Sequence, residues 1–529
     1  MSFISMELLL LVLAAAIIYY SMPKRFQWIL LLVVSYVFYA SYSLKAMSFI
    51  VFTTISTYIG TRVIERIATR GKAELAARKK SMSAQEKKAL KAQIKRNKRL
   101  VTTAILVANF GILAFLKYAN FTIENLNSIA FGLGMTTRLS AMKLLLPLGI
   151  SFYTFQSMGY VIDVYQGKYA AEKNLFRFAL FVSFFPQILQ GPIGRFDRLA
   201  VQFFNEHHFS LKNTEYAIQL MLWGYFKKLV LADRAAVVVN EVFNNYTQYQ
   251  GMYVIVGVLM YSIQLYADFS GGMDVVMGIA QIFDIQLDQN FKRPYFSHSI
   301  SDFWRRWHIT LGTWMKDYIF YPFSLSKAMN HFGKFCRKTF GTHTGRVLPI
   351  CLANILIFFI VGVWHGAAWK YIAYGLYNGF IIAFSSLLEP VFGWILGKLH
   401  INPQGRPWKV FQILRTFILV NIGWYFDMAV SFSAAIAMMR NTFVNMSFRI
   451  FTDGGLYSLG LEKKDYLILL FGCLIIFVVS LLQEKKIEIR QTLGQRALVV
   501  RWALYMALIF ITPLLGYIGT STGFIYAQF

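Results

Sequence analysis

The sequence predicts an all-α polytopic membrane protein, and three observations carry that prediction. Of the 529 residues, 57% are hydrophobic. Only 15% are charged, where a soluble chain carries nearer a quarter. The apolar residues come in runs of about 18–22, enough to cross a hydrocarbon core about 30 Å thick as helices. Such a chain reads as one large membrane domain over 1–529 with about 11–13 transmembrane or re-entrant helices.

Taken in order, the candidate spans lie near 4–21, 26–43, 46–64, 101–118, 143–163, 213–235, 252–270, 347–366, 371–388, 410–430, 465–482 and 499–518. The first run lacks a basic start and a small-residue cleavage site, so it reads as a retained span rather than a signal peptide. The stretch 175–195 holds Pro186 and Pro192 and reads as short or re-entrant. Broken backbone at that depth is tolerated only where protein or a water-filled cavity surrounds it.

The formal net charge of +28 does not point to nucleic acid, because the excess sits in loops between apolar spans. Residues 62–99 hold fourteen Lys or Arg against three Glu and read as a basic cytoplasmic extension, a solvated helical hairpin. Residues 484–501 carry five basic and two acidic residues and read as cytoplasmic too. Both termini are then extracytoplasmic, including the tail 519–529, in a multi-pass protein of a plasma membrane. Three widely spaced cysteines (Cys336, Cys351, Cys473) indicate neither a disulfide framework nor a metal site.

Two histidines stand where an ionisable group is costly and marks function by default. His308 ends Phe303-Trp304-Arg305-Arg306-Trp307-His308, and His365 ends Val363-Trp364-His365 inside an apolar run. On a helix from Ser299, Asp302 and Arg306 are i,i+4 neighbours, as are Trp304 and His308. Trp307, Leu311 and Trp314 share one face. The segment reads either as an interfacial anchor or as a buried, substrate-facing helix. Small residues (Gly362, Gly366, Ala367, Ala368) flank His365 and allow close helix approach or a channel beside the imidazole. That histidine reads as a structural hydrogen-bonder, a proton relay or a base that activates a hydroxyl. The pair His207-His208, in a polar loop, reads as solvated surface.

The strings Trp304-Arg305-Arg306-Trp307-His308 and Trp364-His365-Gly366 resemble the membrane-bound O-acyltransferase (MBOAT) family. Within it they look most like the bacterial branch that acylates alginate and, through DltB, teichoic acid. The strings Pro147–Gln156, Phe185-Pro186-Gln187, Gly191-Pro192-Ile193, Asp268–Gly271, Asn290-Phe291 and Arg293-Pro294-Tyr295 match in order and spacing. The resemblance implies a ring of helices around a thin centre, where a cytoplasmic acyl donor and an outer acceptor meet through a tunnel. It implies His365 as the principal catalytic residue and His308 as its support. Asp302, Trp304, Arg305, Arg306, Trp307 and Trp364 are then tunnel-lining or supporting, as is Asn378, which stands where many relatives carry a further histidine.

The chain ends Phe524-Ile525-Tyr526-Ala527-Gln528-Phe529. Read alone, this tyrosine among phenylalanines is an interfacial anchor. The pattern also resembles the acyl-accepting tail of envelope-acylation systems, with Tyr526 as acceptor framed by Phe524 and Phe529. About seven residues separate it from the last span, a reach of at most ~25 Å, against ~15 Å for half a hydrocarbon core. The resulting expectation is an O-acyltransferase with no tightly bound cofactor. Its donor is acetyl-CoA or an acylated carrier protein. Its partners are the lipid bilayer, a polysaccharide acceptor and an extracytoplasmic SGNH-type acyltransferase, with no nucleic acid. The alternatives are D-alanyl transfer to teichoic acid of the DltB kind and, in another class, a transporter or flippase.

Overall fold

A computed structural model describes residues 5–517 apart from residue 137. Among the described residues the regular structure is helical throughout, with no strand. The chain forms two compact units. One holds residues up to 217 with 279–288, and the other holds 218–278 and the described residues from 289 onward.

In the first unit, α1 (Met6–Ser21), α2 (Gln27–Tyr42) and α3 (Leu44–Ala77) follow one another, with breaks at Met22-Pro23 and at Ser43. The Ser43 hydroxyl caps α3 by accepting from the Ala46 amide, satisfying one of the donors a helix start leaves open. After a turn at 78–83, α4 (Ala84–Gly132) runs back for 49 residues, started by a Ser83–Glu86 capping box. The basic stretch 62–99 is thus the far end of a helical hairpin, and most of its charged side chains are exposed.

The candidate span 143–163 begins later than expected. Pro147 and Gly149 hold residues 143–149 out of helix, and α5 covers Ile150–Gln166. Gly149 has φ +66°, and a Cβ there would lie 1.9 Å from the Ile188 carbonyl oxygen. That approach needs glycine on both counts. The stretch around Pro186 is broken into α6 (Leu175–Ser183) and α7 (Phe185–Gln190), both largely buried, and α8 (Phe196–Phe203) follows.

The reading of His207 as solvated surface is corrected: only His208 is exposed. The His207 ring lies 3.1 Å from the Asp284 carboxylate and 2.7 Å from the Gln202 carbonyl. Polar neighbours in the sequence had concealed a buried hydrogen-bonding role.

The segment from α9 (Leu211–Tyr225) through a π-helical turn (Phe226–Ala232) to α10 (Asp233–Asn244) replaces the span expected at 213–235. In the second unit the π-turn turns Lys227 and Lys228 inward. Lys228 Nζ meets Asp233 at 2.8 Å and Asp268 at 2.7 Å, and Lys227 Nζ meets Asp274 at 2.7 Å. Next come α11 (Met252–Ile282), α12 (Ile300–Arg306), α13 (Ile309–Met315), α14 (Tyr321–Ser324), α15 (Lys327–Phe340) and α16 (Thr342–His365). Then follow α17 (Trp369–Leu387), α18 (Glu389–Lys398), α19 (Arg406–Met428), α20 (Phe432–Asn441), α21 (Lys463–Glu484), α22 (Ile489–Gly494) and α23 (Leu498–Leu514).

Five of these helices (α3, α4, α11, α16 and α21) are long and apolar enough to cross a membrane. The pair α17–α18, bent by 58°, would make a sixth. The shorter helices α1 and α23 are apolar along their length. The all-α polytopic architecture expected from the sequence is what the chain forms.

Candidate active site

Helices α16 and α17 set the position of His365. They pack with almost no side chain between them at one level. A Cβ on Gly375 would lie 2.1 Å from the Phe358 carbonyl oxygen, and one on Gly362 would lie 2.3 Å from that of Tyr371. Close backbone approach between small residues is how helices associate in lipid, where no hydrophobic force drives them together. His365 is the last residue of α16 and is 3% exposed. Tyr374 packs edge-on to its imidazole at 5.3 Å, and Trp364 at the same distance.

The Nδ1 of His365 lies 3.5 Å from Asp427 Oδ1. Asp427, near the end of α19, is 5% exposed. Its other oxygen accepts a 2.7 Å hydrogen bond from the Tyr261 hydroxyl of α11. Lys370 Nζ donates to the Asp427 main-chain carbonyl at 3.1 Å. Asp427 is not among the residues the sequence motifs single out, although an acid inside the apolar run 410–430 meets the same criterion as the two histidines.

His308 is reached by a different route. The continuous helix expected over this segment is broken at Trp307-His308, so Trp304 and His308 are not i,i+4 neighbours. His308 has φ +46°, a left-handed conformation that costs a side-chain-bearing residue energy. Residues 290–292 hold it there. The Ile309 amide donates to the Asn290 carbonyl at 3.0 Å. Asn290 Oδ1 accepts from the Thr310 amide at 2.9 Å and from its hydroxyl at 2.8 Å. The Lys292 amide donates to the Arg306 carbonyl at 2.9 Å.

Of the two readings of this segment, Trp307 and His308 fit the buried one, at 1% and 2% exposure. Trp307 stacks on Phe303 and meets Phe291 edge-on, and Phe269 meets His308 edge-on at 4.9 Å. His308 lies outside the candidate membrane-spanning helices, and burial pushes its imidazole pKa down to about 3, with His365 adding to the effect. At neutral pH the ring is uncharged.

A cavity of about 340 Å³ opens beside His308. Its cationic and polar lining includes Arg305, Lys316, Trp304 and Ser301. One wall is Asn354, Ile357, Phe358 and Val361, a single stripe of α16 at helical spacing. Trp364 and His365 come next along that stripe. Trp364 neighbours both histidines, its ring 5.7 Å from that of His308 and 5.3 Å from that of His365.

The other singled-out residues take distinct places. Trp304 Nε1 donates to Asn378 Oδ1 at 3.0 Å, and Asn378 Nδ2 donates to the Tyr374 carbonyl at 2.9 Å. Asp302 pairs with Arg306 at 3.1 Å, the i,i+4 contact expected. Arg306 and Arg293 both reach Glu484 at the end of α21, at 2.7 and 2.6 Å. Asp302, Arg306 and Trp307 therefore brace the segment and do not line the cavity, whereas Trp304, Arg305 and His308 do. Tyr526, Phe524 and Phe529 lie outside the described residues.

Comparison with known proteins decides the family. The membrane-bound O-acyltransferase family matches residues 170–336. The chain is 32% identical to a probable alginate O-acetylase of Azotobacter vinelandii over 467 residues, 88% of this chain and 82% of that protein. The chain belongs to the membrane-bound O-acyltransferase family. A peptidoglycan O-acetyltransferase of Helicobacter pylori is 31% identical over 65% of this chain and 64% of its own length. A teichoic acid D-alanyltransferase of Bacillus subtilis is 28% identical over 53% of this chain and 67% of its own. This O-acyltransferase thus carries two buried histidines in one unit, with a cavity beside His308 that α16 walls as far as Val361, one turn before His365.

Proposed function

We propose that this O-acyltransferase moves an acetyl group from a cytoplasmic thioester, acetyl-CoA, to a hydroxyl at the outer side of a bacterial plasma membrane. The end product is an O-acetylated cell-envelope or secreted polysaccharide. The observation that carries the proposal is the cavity lined by His308 and the α16 stripe, with the buried His365 on the next turn of that helix. Relatives named for O-acetylation of alginate and peptidoglycan support the acetyl group and the glycan class.

The charge pattern supports the direction of entry. If the basic stretches 62–99 and 484–501 face the cytoplasm, so does the end of α21, where Glu484 holds Arg293 and Arg306. Arg305 and Lys316 on the cavity wall then suit the phosphates of a nucleotide-bearing donor. His365 Nε2 takes the proton of the acceptor hydroxyl as its oxygen attacks the thioester carbonyl. The C–S bond breaks, the sulfur leaves as thiolate, and the imidazolium returns the proton to it. His308, neutral and beside the cavity, donates a hydrogen bond to the thioester oxygen as negative charge develops there.

The first acceptor in this scheme is the Tyr526 phenol, whose ordinary pKa of about 10 requires a base. An SGNH-type extracytoplasmic acyltransferase then passes the acetyl group to the polysaccharide. The experiment is intact-mass analysis of the full chain after incubation with labelled acetyl-CoA. Wild type is expected to gain one label, and His365→Ala and Tyr526→Phe none. If acetyl-CoA is consumed without any adduct on wild type, the tyrosine relay is refuted. A second reading, D-alanyl transfer to teichoic acid from a carrier protein, rests on the Bacillus subtilis relative. Labelling from a D-alanyl carrier protein and not from acetyl-CoA would establish it.

A further inference from the structure

We infer that Asp427, locked by Tyr261, is a positioning residue that fixes the tautomer and the aim of His365. The inference rests on the acyl-transfer reading of that site and deepens it.

An imidazole used as a base must present an unprotonated nitrogen to its substrate, and the partner of its other nitrogen selects which one that is. Three helices converge to make the choice here. His365 closes α16, Asp427 lies near the end of α19, and Tyr261 comes from α11. The Nδ1 edge of the ring faces Asp427 Oδ1 at 3.5 Å. A carboxylate accepts and cannot donate, so it favours the tautomer with the proton on Nδ1. Nε2 is then the unprotonated nitrogen, the one able to take the proton of the acceptor hydroxyl. A contact of this length is common for catalytic pairs before substrate binds, and it tightens in the reacting complex.

Tyr261 keeps the carboxylate from turning away. Its hydroxyl donates to Asp427 Oδ2 at 2.7 Å, and both residues are buried. The ring of Tyr261 meets Trp424 edge-on at 5.9 Å, and Trp424 stacks on Tyr374, which itself packs edge-on to His365. Lys370 fixes the main chain of Asp427 through its carbonyl. A carboxylate buried at this depth is costly unless it is paired and hydrogen-bonded. Each of its two oxygens has a defined neighbour here, and one of those neighbours is the base.

The test uses the full chain in lipid nanodiscs and reads two quantities. The first is the 15N spectrum of histidine-labelled protein, with the His365 signal assigned by its loss in His365→Gln. The neutral Nδ1-protonated form is expected in wild type, and a mixture of tautomers in Asp427→Asn. The second is acetyl transfer. Asp427→Asn is expected to lower kcat on the order of 10²-fold, the scale of a base's contribution, with KM for the donor within about twofold. Formate is expected to restore part of the rate in Asp427→Gly, which a purely structural role would not allow. Tyr261→Phe, which retains the ring and its packing, is expected to give a smaller loss in kcat.

Unchanged tautomers and an unchanged kcat in Asp427→Asn would overturn the inference. So would a loss of rate that merely tracks folded protein and ignores formate. Should wild type transfer nothing from any thioester, the acyl-transfer reading fails, and the spectrum still decides whether Asp427 sets the tautomer.

Discussion

Replacing Asn290 by alanine tests how His308 is held. Asn290 is 1% exposed, and its Oδ1 is the common acceptor for the Thr310 amide and hydroxyl at 2.9 and 2.8 Å. Deleting it takes this acceptor away from two donors. The Thr310 amide is at the start of α13, where no helical carbonyl can take it. Leaving a buried donor unsatisfied costs about 1–3 kcal/mol. The hydroxyl can rotate to another acceptor, so the pair sums to about 2–4 kcal/mol. The strain of His308 in its left-handed conformation is no longer opposed by these bonds, so the imidazole should also lose its aim.

The assay is unfolding in mixed micelles, read beside kcat for acetyl transfer. Asn290→Ala should fall in that range of destabilisation and lose most of its activity per folded molecule. In a double-mutant cycle with Thr310→Val the two changes should couple by about 1 kcal/mol, because they share a bond. A loss under about 0.5 kcal/mol with full activity would refute the claim that residue 290 holds the histidine.

Four further outcomes are expected. Lys228→Met should abolish folded protein in the membrane fraction, because breaking a buried pair costs about 3–5 kcal/mol and here Asp233 and Asp268 both lose the Lys228 ammonium. Adding Asp233→Asn and Asp268→Asn should restore the yield, measured by size-exclusion chromatography in detergent. Trp304→Phe should keep the ring packing but lose the bond to Asn378, at a cost of about 1 kcal/mol in unfolding experiments. Gly375→Val should separate α16 from α17 and lower acetyl transfer sharply, measured on the folded fraction, because the added atoms meet the Phe358 carbonyl. The fourth is pH-dependent. The folded pKa of His308 lies near 3, below the unfolded value near 6.5, so the unfolded chain binds the extra proton. Stability from this group is therefore complete above about pH 6.5 and falls as pH drops toward 3, by ~2 kcal/mol at pH 5. His308→Gln should flatten that limb of the stability profile.

Much of the fold was legible because its signal is local. Runs of apolar residues mark α1–α4, α11, α16, α17, α19, α21 and α23, and Pro186 marks the break between α6 and α7. What local pattern hid was register and pairing. The π-turn at 226–232 and the kink at His308 depend on partners distant in sequence, Asp268 and Asn290, that no periodicity reveals. The two histidines were legible as costly residues in an apolar chain. Their difference was not: His308 lines the cavity, whereas His365 sits one helical turn beyond its wall, against Asp427. The carboxylate carried the same warning in sequence, as did Lys227 and Lys228. An acid or a lysine inside an apolar run has to find a partner, and that rule applied evenly names all three.

The most direct test of the central claim is the acetate released by mild alkali from envelope polysaccharide of cells whose only copy carries His365→Ala, with protein level matched to wild type. An acyltransferase that uses His365 as its base predicts acetate near the level of a deletion strain. Acetate at the wild-type level would contradict it.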